Sequence, residues 1–141
     1  MYFCIVFYMI LKSKAIVLRS LKFGDSSLII DMFTELEGRI SFITRIPKTA
    51  KGKIKKQYFQ PLTLLDLEFD YRPRTSLQRI KEVRILRPYG SIPFDPVKSA
   101  ILLFLSEFLY YVTRGEQQNA HLYNYICASM EWNGMEWTQM E

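Results

Sequence analysis

Five short runs of strand-forming residues, each followed by a turn signal, lie between residues 14 and 86. They are rich in β-branched and aromatic side chains, and the fourth alternates strictly from Leu65, with Leu67 and Phe69 on its apolar side. The runs cover residues 14–21, 28–34, 39–46, 58–70 and 77–86. Short strands at this spacing are typical of a small sandwich or barrel.

The strand count and the long connection after the third run favour a five-stranded OB-fold barrel. That architecture offers one open face and its flanking loops to nucleic acid, oligosaccharide or peptide, and fold alone does not choose among them. The fifth run is ambiguous, because Leu77, Ile80 and Val83 have helical spacing whereas Val83 and Ile85 have strand spacing. Its position directly after a hairpin-like turn favours a strand.

The composition changes after residue 88, where prolines and a glycine precede a helix signal. Asp95 suits the N-cap and Pro96 the first helical position. The helix that follows, Val97–Thr113, is apolar over most of its circumference, and such a helix is normally buried on several sides. A second helix over residues 120–130 cannot cover it alone. Either both helices pack onto the barrel, or helices that normally follow are missing.

We therefore predict a mainly β then α chain, in which a five-stranded OB-fold barrel is followed by an incomplete α-helical domain. The predicted boundaries are 1–11 for an apolar extension, 12–88 for the barrel and 89–141 for the helices. The apolar run 1–11 is shorter than the ~20 residues that cross a bilayer, and no basic residue precedes it. Ser13–Ala15 resembles a signal cleavage site, but cutting there would remove the start of the first strand. We expect an extension upstream of a start near Met9.

Positive charge is concentrated in the first part of the chain. Residues 1–88 carry 17 Lys and Arg against 8 Asp and Glu, whereas residues 89–141 carry 2 against 6. The strongest concentration is the tract Pro47–Lys56, which holds five lysines and no acid. Its proline and glycine mark a flexible loop, and a cationic loop on a small β-domain suits a polyanion, most often nucleic acid. A solvated loop that serves solubility alone is the alternative.

Metal and redox chemistry find little support in the sequence. Cys4 and Cys127 lie far apart without CxxC spacing, which predicts neither a zinc site nor a disulfide framework and suits a reducing cytoplasm. The single histidine, His121, has no neighbouring ligand types. We therefore expect no cofactor.

Several segments, in a fixed order, resemble the RecO family of bacterial recombination mediators. The most specific is residues 91–100 (SIPFDPVKSA), followed by residues 103–110 (LFLSEFLY). The others are residues 14–18 (KAIVL), 38–42 (GRISF), 60–68 (QPLTLLDLE) and 77–82 (LQRIKE). Together they cover residues 12–127, and their order and spacing carry the resemblance more than any single motif.

The resemblance implies an N-terminal OB-fold, a helical domain and no enzymatic turnover. It implies a cytoplasmic, nucleoid-associated DNA repair protein that binds single- and double-stranded DNA and anneals complementary strands. Its implied partners are RecR and the acidic C-terminal tail of single-stranded DNA-binding protein. Family members continue well beyond position 141 and often carry a four-cysteine zinc module. On that basis we expect this module to be absent here and the tail-peptide site to be incomplete.

The residues expected to meet phosphates are basic and lie on the third strand, on the loop after it or on neighbouring strands. The first group is Arg39, Arg45, Lys48, Lys51, Lys53, Lys55 and Lys56. The second group is Arg19, Lys22, Arg79, Lys81 and Arg84. Loop lysines act as point charges that read no sequence, so binding should be sequence-tolerant and salt-sensitive. Tyr58 and Phe59 could stack on bases, although aromatic residues at a strand start more often belong to the core.

Two other functions remain open. The same basic surface could capture acidic peptides, with DNA binding incidental. An enzyme would need a nucleophile–base pair, a metal cluster or a Gly-rich phosphate loop, and the sequence has none of these. Asp66, Glu68 and Asp70 form a carboxylate row, but alternate acids on a strand are far more typical of a solvent-facing sheet than of a Mg²⁺ site. We predict a non-enzymatic DNA-binding and annealing protein.

Overall fold

The computed structural model describes residues 9–46, 56–87, 96–115, 117 and 119–139. The strands are β1 (Met9–Phe23), β2 (Ser27–Thr34), β3 (Gly38–Arg45), β4 (Leu64–Tyr71) and β5 (Leu77–Arg87), and the helices are α1 (Pro96–Val112) and α2 (Ala120–Gln139). A 3₁₀ turn, Lys56–Phe59, precedes β4. The strand β1 begins three residues before the predicted barrel boundary, and α2 continues nine residues beyond the predicted helix end at residue 130.

The strands close into a ring in the order β1–β2–β3–β5–β4, with β4 beside β1. All neighbours are antiparallel except β3 and β5, which run parallel and pair from Ser41 with Leu77 to Ile43 with Arg79. Gly38 has a φ of 72° at the tight β2–β3 turn, a conformation that glycine adopts without the strain a Cβ would cause. This ring is OB-like and, with the two helices after it, confirms the predicted fold class.

The fifth run is a strand, and its ambiguous spacing has a structural cause. The pairing register with β4 shifts between Glu68 opposite Glu82 and Phe69 opposite Ile80, so that β5 has one extra residue, Lys81. A bulge of this kind changes the phase of the in–out alternation. Ile80 and Val83 therefore both pack on the barrel core although they are three residues apart.

Alternate side chains of the strands fill the barrel interior. Phe42 and Phe69 lie at its centre, edge to face, with ring centroids 5.0 Å apart. Phe59 of the 3₁₀ turn is 2% exposed and belongs to the same cluster, while the half-buried Tyr58 packs against it. The suggestion that Phe59 stacks on bases is therefore wrong, and the alternative that it belongs to the core is confirmed.

A second apolar cluster lies between the outside of the barrel and the helices. Ile16, Leu18 and Phe33 face outward from β1 and β2 and meet Tyr123 and Ile126 of α2. Half-buried residues of α1 complete the cluster: Leu102, Leu105, Leu109 and Tyr110. Burial raises the pKa of Tyr123, and the neighbouring Cys127 adds to this effect. The helices therefore pack onto the barrel. The other alternative, that helices which normally follow are missing, stays a prediction.

The two helices are held by specific polar contacts. Ser106, buried on α1, donates a hydrogen bond to the carbonyl oxygen of Leu18, where β1 shifts register between Val17 and Arg19. Asn119 caps α2, since its Oδ1 accepts from the Leu122 N–H at 3.0 Å. The predicted N-cap of α1, Asp95, lies outside the described residues.

The side of α1 turned away from the barrel is apolar and exposed. Its exposed side chains recur at helical spacing: Val97, Ile101, Phe104, Phe108 and Tyr111. No described residue covers this stripe. The sequence predicts a surface that is apolar over most of the circumference of α1, and only the inner part of this surface packs against the barrel.

Candidate nucleic-acid interface

The outer surface of β1, β2 and β3 is partly open beside α1, on the side of Arg19 that leads toward Phe23. Antiparallel pairing places opposite residues on the same side of a sheet. Three cross-strand rows form this surface, called the outer face below: Phe23–Ser27–Arg45, Leu21–Ile29–Ile43 and Arg19–Asp31–Ser41. Since neighbouring strands lie about 4.8 Å apart, each row spans roughly 10 Å.

A groove of about 480 Å³ opens at the β3 edge of the outer face. It forms where β3 and β5 cease to pair after Ile43 and Arg79. Arg45 from β3 and Arg79 from β5 line it together with the hydroxyl-bearing side chains of Ser26, Ser27 and Thr44. Arg45 Nε donates to Ser26 Oγ at 3.4 Å. Two guanidinium groups beside hydroxyl donors form a set that suits phosphate oxygens.

Arg39 lies on the same outward side of β3 but is covered by α1. Its side chain is 10% exposed, and its Nη1 donates to the Tyr110 carbonyl oxygen at 2.7 Å. The guanidinium carbon lies 4.2 Å from the centroid of the Tyr110 ring, and Nη2 lies 3.9 Å from Asp31 Oδ2. Ser41 Oγ also donates to Asp31. The prediction that Arg39 is open to phosphate is therefore wrong, because its donors face the helix and a buried carboxylate.

The remaining described basic candidates are distributed around the barrel. Arg19 is exposed at the border of α1, 5.1 Å from the Tyr110 ring centroid. Lys22 is exposed but pairs with the core residue Leu28, so it lies on the opposite side of β1 from Arg19. Lys56, also exposed, begins the 3₁₀ turn. Arg19 therefore borders the outer face, whereas Lys22 does not.

Two other basic candidates are paired with acids of β4. Lys81 forms an ion pair of 3.7 Å with Asp70, which also lies opposite Arg79 in the sheet. Arg84 donates to Asp66 at 3.1 Å. The tract lysines Lys48, Lys51, Lys53 and Lys55 lie outside the described residues, so their placement stays a prediction.

The sequence interpretation missed the apolar part of the outer face and the hydroxyl groups of the groove. Phe23 lies beyond the predicted first run, residues 14–21, but it ends β1 and is 57% exposed, and Leu21 is 46% exposed. Arg19, Leu21 and Phe23 alternate with Ser20 and Lys22, a period-2 signal that was present in the sequence. What hid it was the register shift after Val17, which changes the phase of the strand.

The surface of β1, β4 and β5 on another side of the ring has balanced charges. Lys12 lies opposite Glu68, which lies opposite Glu82, and Lys14 lies opposite Asp66. A groove of about 350 Å³ runs between them. Among the described residues, no group of three His, Cys, Asp or Glu side chains is placed to hold a metal ion. The carboxylate row thus faces lysines and arginines.

Together, the ring topology and the arginine-lined groove define a small OB-like barrel domain with a cationic edge. The family described as "Recombination protein O N terminal" matches residues 9–89. The protein named DNA repair protein RecO from Bacteroides fragilis is 50% identical over 124 residues. Those of Phocaeicola vulgatus and Flavobacterium psychrophilum are 42% and 36% identical over 124 and 123 residues. The chain belongs to the RecO family of DNA repair and recombination proteins.

The matches cover nearly all of this chain and part of each relative. They include 88% of this chain for the B. fragilis and P. vulgatus proteins and 86% for the F. psychrophilum protein. The chain spans about half the length of these curated relatives, 51% of the first and 52% of the other two. In the part of the chain that the structure describes, neither helix is long and apolar enough to cross a membrane.

Proposed function

We propose that this chain supplies the DNA-binding barrel of a recombination mediator, which binds DNA strands through their phosphates and promotes annealing without catalysis. The observation that carries the proposal is the meeting of Arg45 and Arg79 in one groove, although they are far apart in sequence. Two exposed arginines beside three hydroxyl-bearing residues form a suitable binding site for a phosphodiester backbone. Annealing follows because neutralised strands repel one another less.

The proposed phosphate surface contains Arg45 and Arg79, with Arg19 at its border. It includes the tract lysines Lys48, Lys51, Lys53 and Lys55 and the exposed Lys56 as expected contributors. Arg39 is left out, because its guanidinium is occupied by Tyr110 and Asp31. Lys22 and Lys81 are left out as well, the first for its side of β1 and the second for its ion pair with Asp70.

The salt dependence of binding tests this proposal. We expect the double variant Arg45→Ala, Arg79→Ala to bind a single-stranded oligonucleotide more weakly. The slope of log affinity against log salt should fall in magnitude by about 1.4, at about 0.7 for each lost phosphate contact. Fluorescence anisotropy across a salt series measures the slope, and the rate at which two complementary oligonucleotides anneal should fall in parallel.

The matched control is Lys12→Ala, Lys14→Ala, which removes two positive charges from the charge-balanced side of the barrel. Its slope should equal that of the unaltered protein. Equal losses in both double variants would show that net charge, rather than the groove, sets the affinity. A protein that binds an acidic peptide but no oligonucleotide at low salt would overturn the proposal in favour of peptide capture.

The partners follow from family membership and are part of the same proposal. We infer that the chain acts with RecR, and that it contacts the acidic tail of single-stranded DNA-binding protein through only part of the tail-peptide site, which we expect to be incomplete here. A tail peptide that displaces DNA from the unaltered protein would place both ligands on one surface. Co-sedimentation with RecR, with and without DNA, would test the other partner.

A further inference from the structure

The outer face carries an apolar strip that the barrel does not need for its own core. Leu21 and Phe23 follow one another on the outward side of β1, and Ile29 and Ile43 lie opposite Leu21 in the next two strands. Leu21 and Phe23 are 46% and 57% exposed, whereas Ile29 and Ile43 are half-buried. Single exposed apolar residues are common on protein surfaces, but four that are contiguous form a patch that calls for a ligand.

Among the described residues, the helices leave this strip uncovered, since Leu21 and Phe23 are exposed. Tyr110 of α1 contacts Arg39 and Arg19, which mark the border of the covered area. Beyond Arg19, the side chains along β1 are exposed as far as the turn that contains Gly24. The strip is therefore accessible in the described part of the chain.

The charges around the strip favour a polyanion. Arg19 lies at one end, and Arg45 occupies the same cross-strand row as Phe23. Arg79 follows in the groove beyond Ile43. The nearby acids are Asp25, exposed in the β1–β2 turn, and two carboxylates that already have partners. Asp31 contacts Arg39 and Ser41, and Asp70, opposite Arg79 in the sheet, forms an ion pair with Lys81. Positive side chains therefore outnumber the acids around the apolar strip.

Proteins that bind single-stranded nucleic acid combine an apolar, aromatic surface with a positively charged groove. Phosphates contact the basic groups, and bases stack on aromatic rings whatever their sequence. The row from Phe23 to Arg45 spans two strand spacings, roughly 10 Å. The base and the phosphate of one or two adjacent nucleotides can reach across that distance. A duplex lacks this second set of contacts, because its bases are already paired and stacked.

We propose that Phe23, supported by Leu21, is a base-stacking platform, so that the domain prefers single-stranded to double-stranded nucleic acid. This inference rests on the proposed function and adds the bases to the phosphates as ligands. Phe23 supplies the ring, Leu21 packs beside it, and the groove arginines fix the backbone.

The test compares Phe23→Ala with the unaltered protein on three ligands: oligothymidylate, an abasic strand of equal length, and a duplex. We expect affinity for oligothymidylate to fall roughly 5-fold to 150-fold. Affinity for the abasic strand and the slope of log affinity against log salt should not change, since the phosphate contacts remain. The loss on the duplex should be smaller than on oligothymidylate, and Phe23→Trp should restore binding.

The matched control is Phe104→Ala, which removes an equally large ring, 69% exposed, from the side of α1 turned away from the barrel. It should bind all three ligands as the unaltered protein does. Thermal melting of each variant shows that it is folded, which is expected because both rings are exposed.

The outcomes separate this inference from the function on which it rests. If Phe23→Ala binds oligothymidylate as tightly as the unaltered protein, or loses affinity equally for the abasic strand, the stacking platform is overturned and the phosphate groove stands. If the unaltered protein binds none of the three ligands at low salt, both proposals fall. If the unaltered protein binds an acidic peptide but no nucleic acid, and Phe23→Ala loses affinity for that peptide, the strip would be assigned to peptide recognition instead.

Discussion

Arg39 and Arg45 lie on the same outward side of β3, yet the protein uses them differently. Arg45 is exposed at the end of the strand, in the groove. Arg39 holds the last turns of α1 through the Tyr110 carbonyl oxygen and ring, and it lies beside the buried Asp31. The Nε of Arg39 is buried without a hydrogen-bond partner, which costs desolvation free energy. The contacts of the guanidinium group with the Tyr110 ring, the Tyr110 carbonyl oxygen and Asp31 must offset this cost. A charged group in this position stabilises the fold only while all its partners are present.

Replacement of Arg39 by Ala should therefore lower the free energy of unfolding by about 2–4 kcal/mol. The change removes a charge-assisted hydrogen bond and leaves the Asp31 carboxylate without its cation. Arg39→Lys should recover only part of the loss, because an ammonium group lacks the planar fork that contacts Tyr110 and Asp31 together. Urea unfolding measures both values. Arg45→Ala on the same strand should stay within about 0.5 kcal/mol, and an equally mild Arg39→Ala would refute the structural role.

Sequence reasoning could identify which side of β3 each arginine takes, but not what covers it. The alternation of Ile40 and Phe42 with Arg39 and Ser41 is local information. The contact between Arg39 and Tyr110 joins residues 71 positions apart and depends on how α1 crosses the barrel. For the same reason, Arg79 could be proposed as basic and exposed, whereas its meeting with Arg45 required the ring.

At the scale of elements, α1 is seated where β1 departs from regular pairing. The register shift between Val17 and Arg19 leaves Leu18 as an unpaired residue, a β-bulge. Its carbonyl oxygen accepts from Ser106, and the Leu18 side chain enters the cluster beneath the helices. A buried carbonyl group that lost its donor would keep the full cost of desolvation. The irregularity in one element therefore fixes the position of another.

The substitution Ser106→Ala should destabilise the protein by about 1–3 kcal/mol, because it leaves the Leu18 carbonyl group without a donor. Alanine is the better helix former, so intrinsic propensity would predict the opposite sign. Glu107→Ala, an exposed position next to it, should change stability by less than about 0.5 kcal/mol. Chemical denaturation compares the two variants. A stabilised Ser106→Ala would show that propensity outweighs the contact.

The elements differ in how well the sequence predicts them. Pro96 marks the observed start of α1, and the glycine-containing turns mark the ends of β1 and β2, since these signals act within a few residues. The bulge in β1 and the two register shifts in β5 were not predicted. A bulge is set by the pairing of two distant strands, and along one strand it shows only as a broken alternation.

At the scale of the whole molecule, the strand pairs that close the ring differ in length. The seam between β3 and β5 has three paired positions, whereas β1 pairs with β2 over eight. It is also the parallel seam, and parallel pairing is slightly weaker for each residue. Gln78 anchors the start of β5, because its Nε2 donates to the Arg72 carbonyl oxygen at 2.8 Å and its Oε1 accepts from the Arg72 N–H at 2.8 Å. The sequence predicted five strands, and only their assembly shows which junction is short.

Amide hydrogen exchange should reflect this difference. We expect peptides that cover Leu77–Arg79 to exchange faster than peptides that cover the β1–β2 pairs from Ala15 to Val17, because fewer bonds must open together. Addition of a single-stranded oligonucleotide should slow exchange at the β3–β5 seam. Mass spectrometry with and without ligand measures both effects. Uniform protection around the ring would contradict the first expectation, and an unchanged seam on binding would contradict the second.

Arg45 and Arg79 stand on opposite sides of that short seam, and this has a thermodynamic consequence. An anion that bridges them is bound by the closed ring and released by the open one, so occupancy and closure are linked equilibria. Local opening then becomes costlier by RT ln(1 + [L]/Kd) as ligand concentration rises. Bound DNA would therefore make the β3–β5 seam more rigid, and the seam would open more often once the DNA had dissociated.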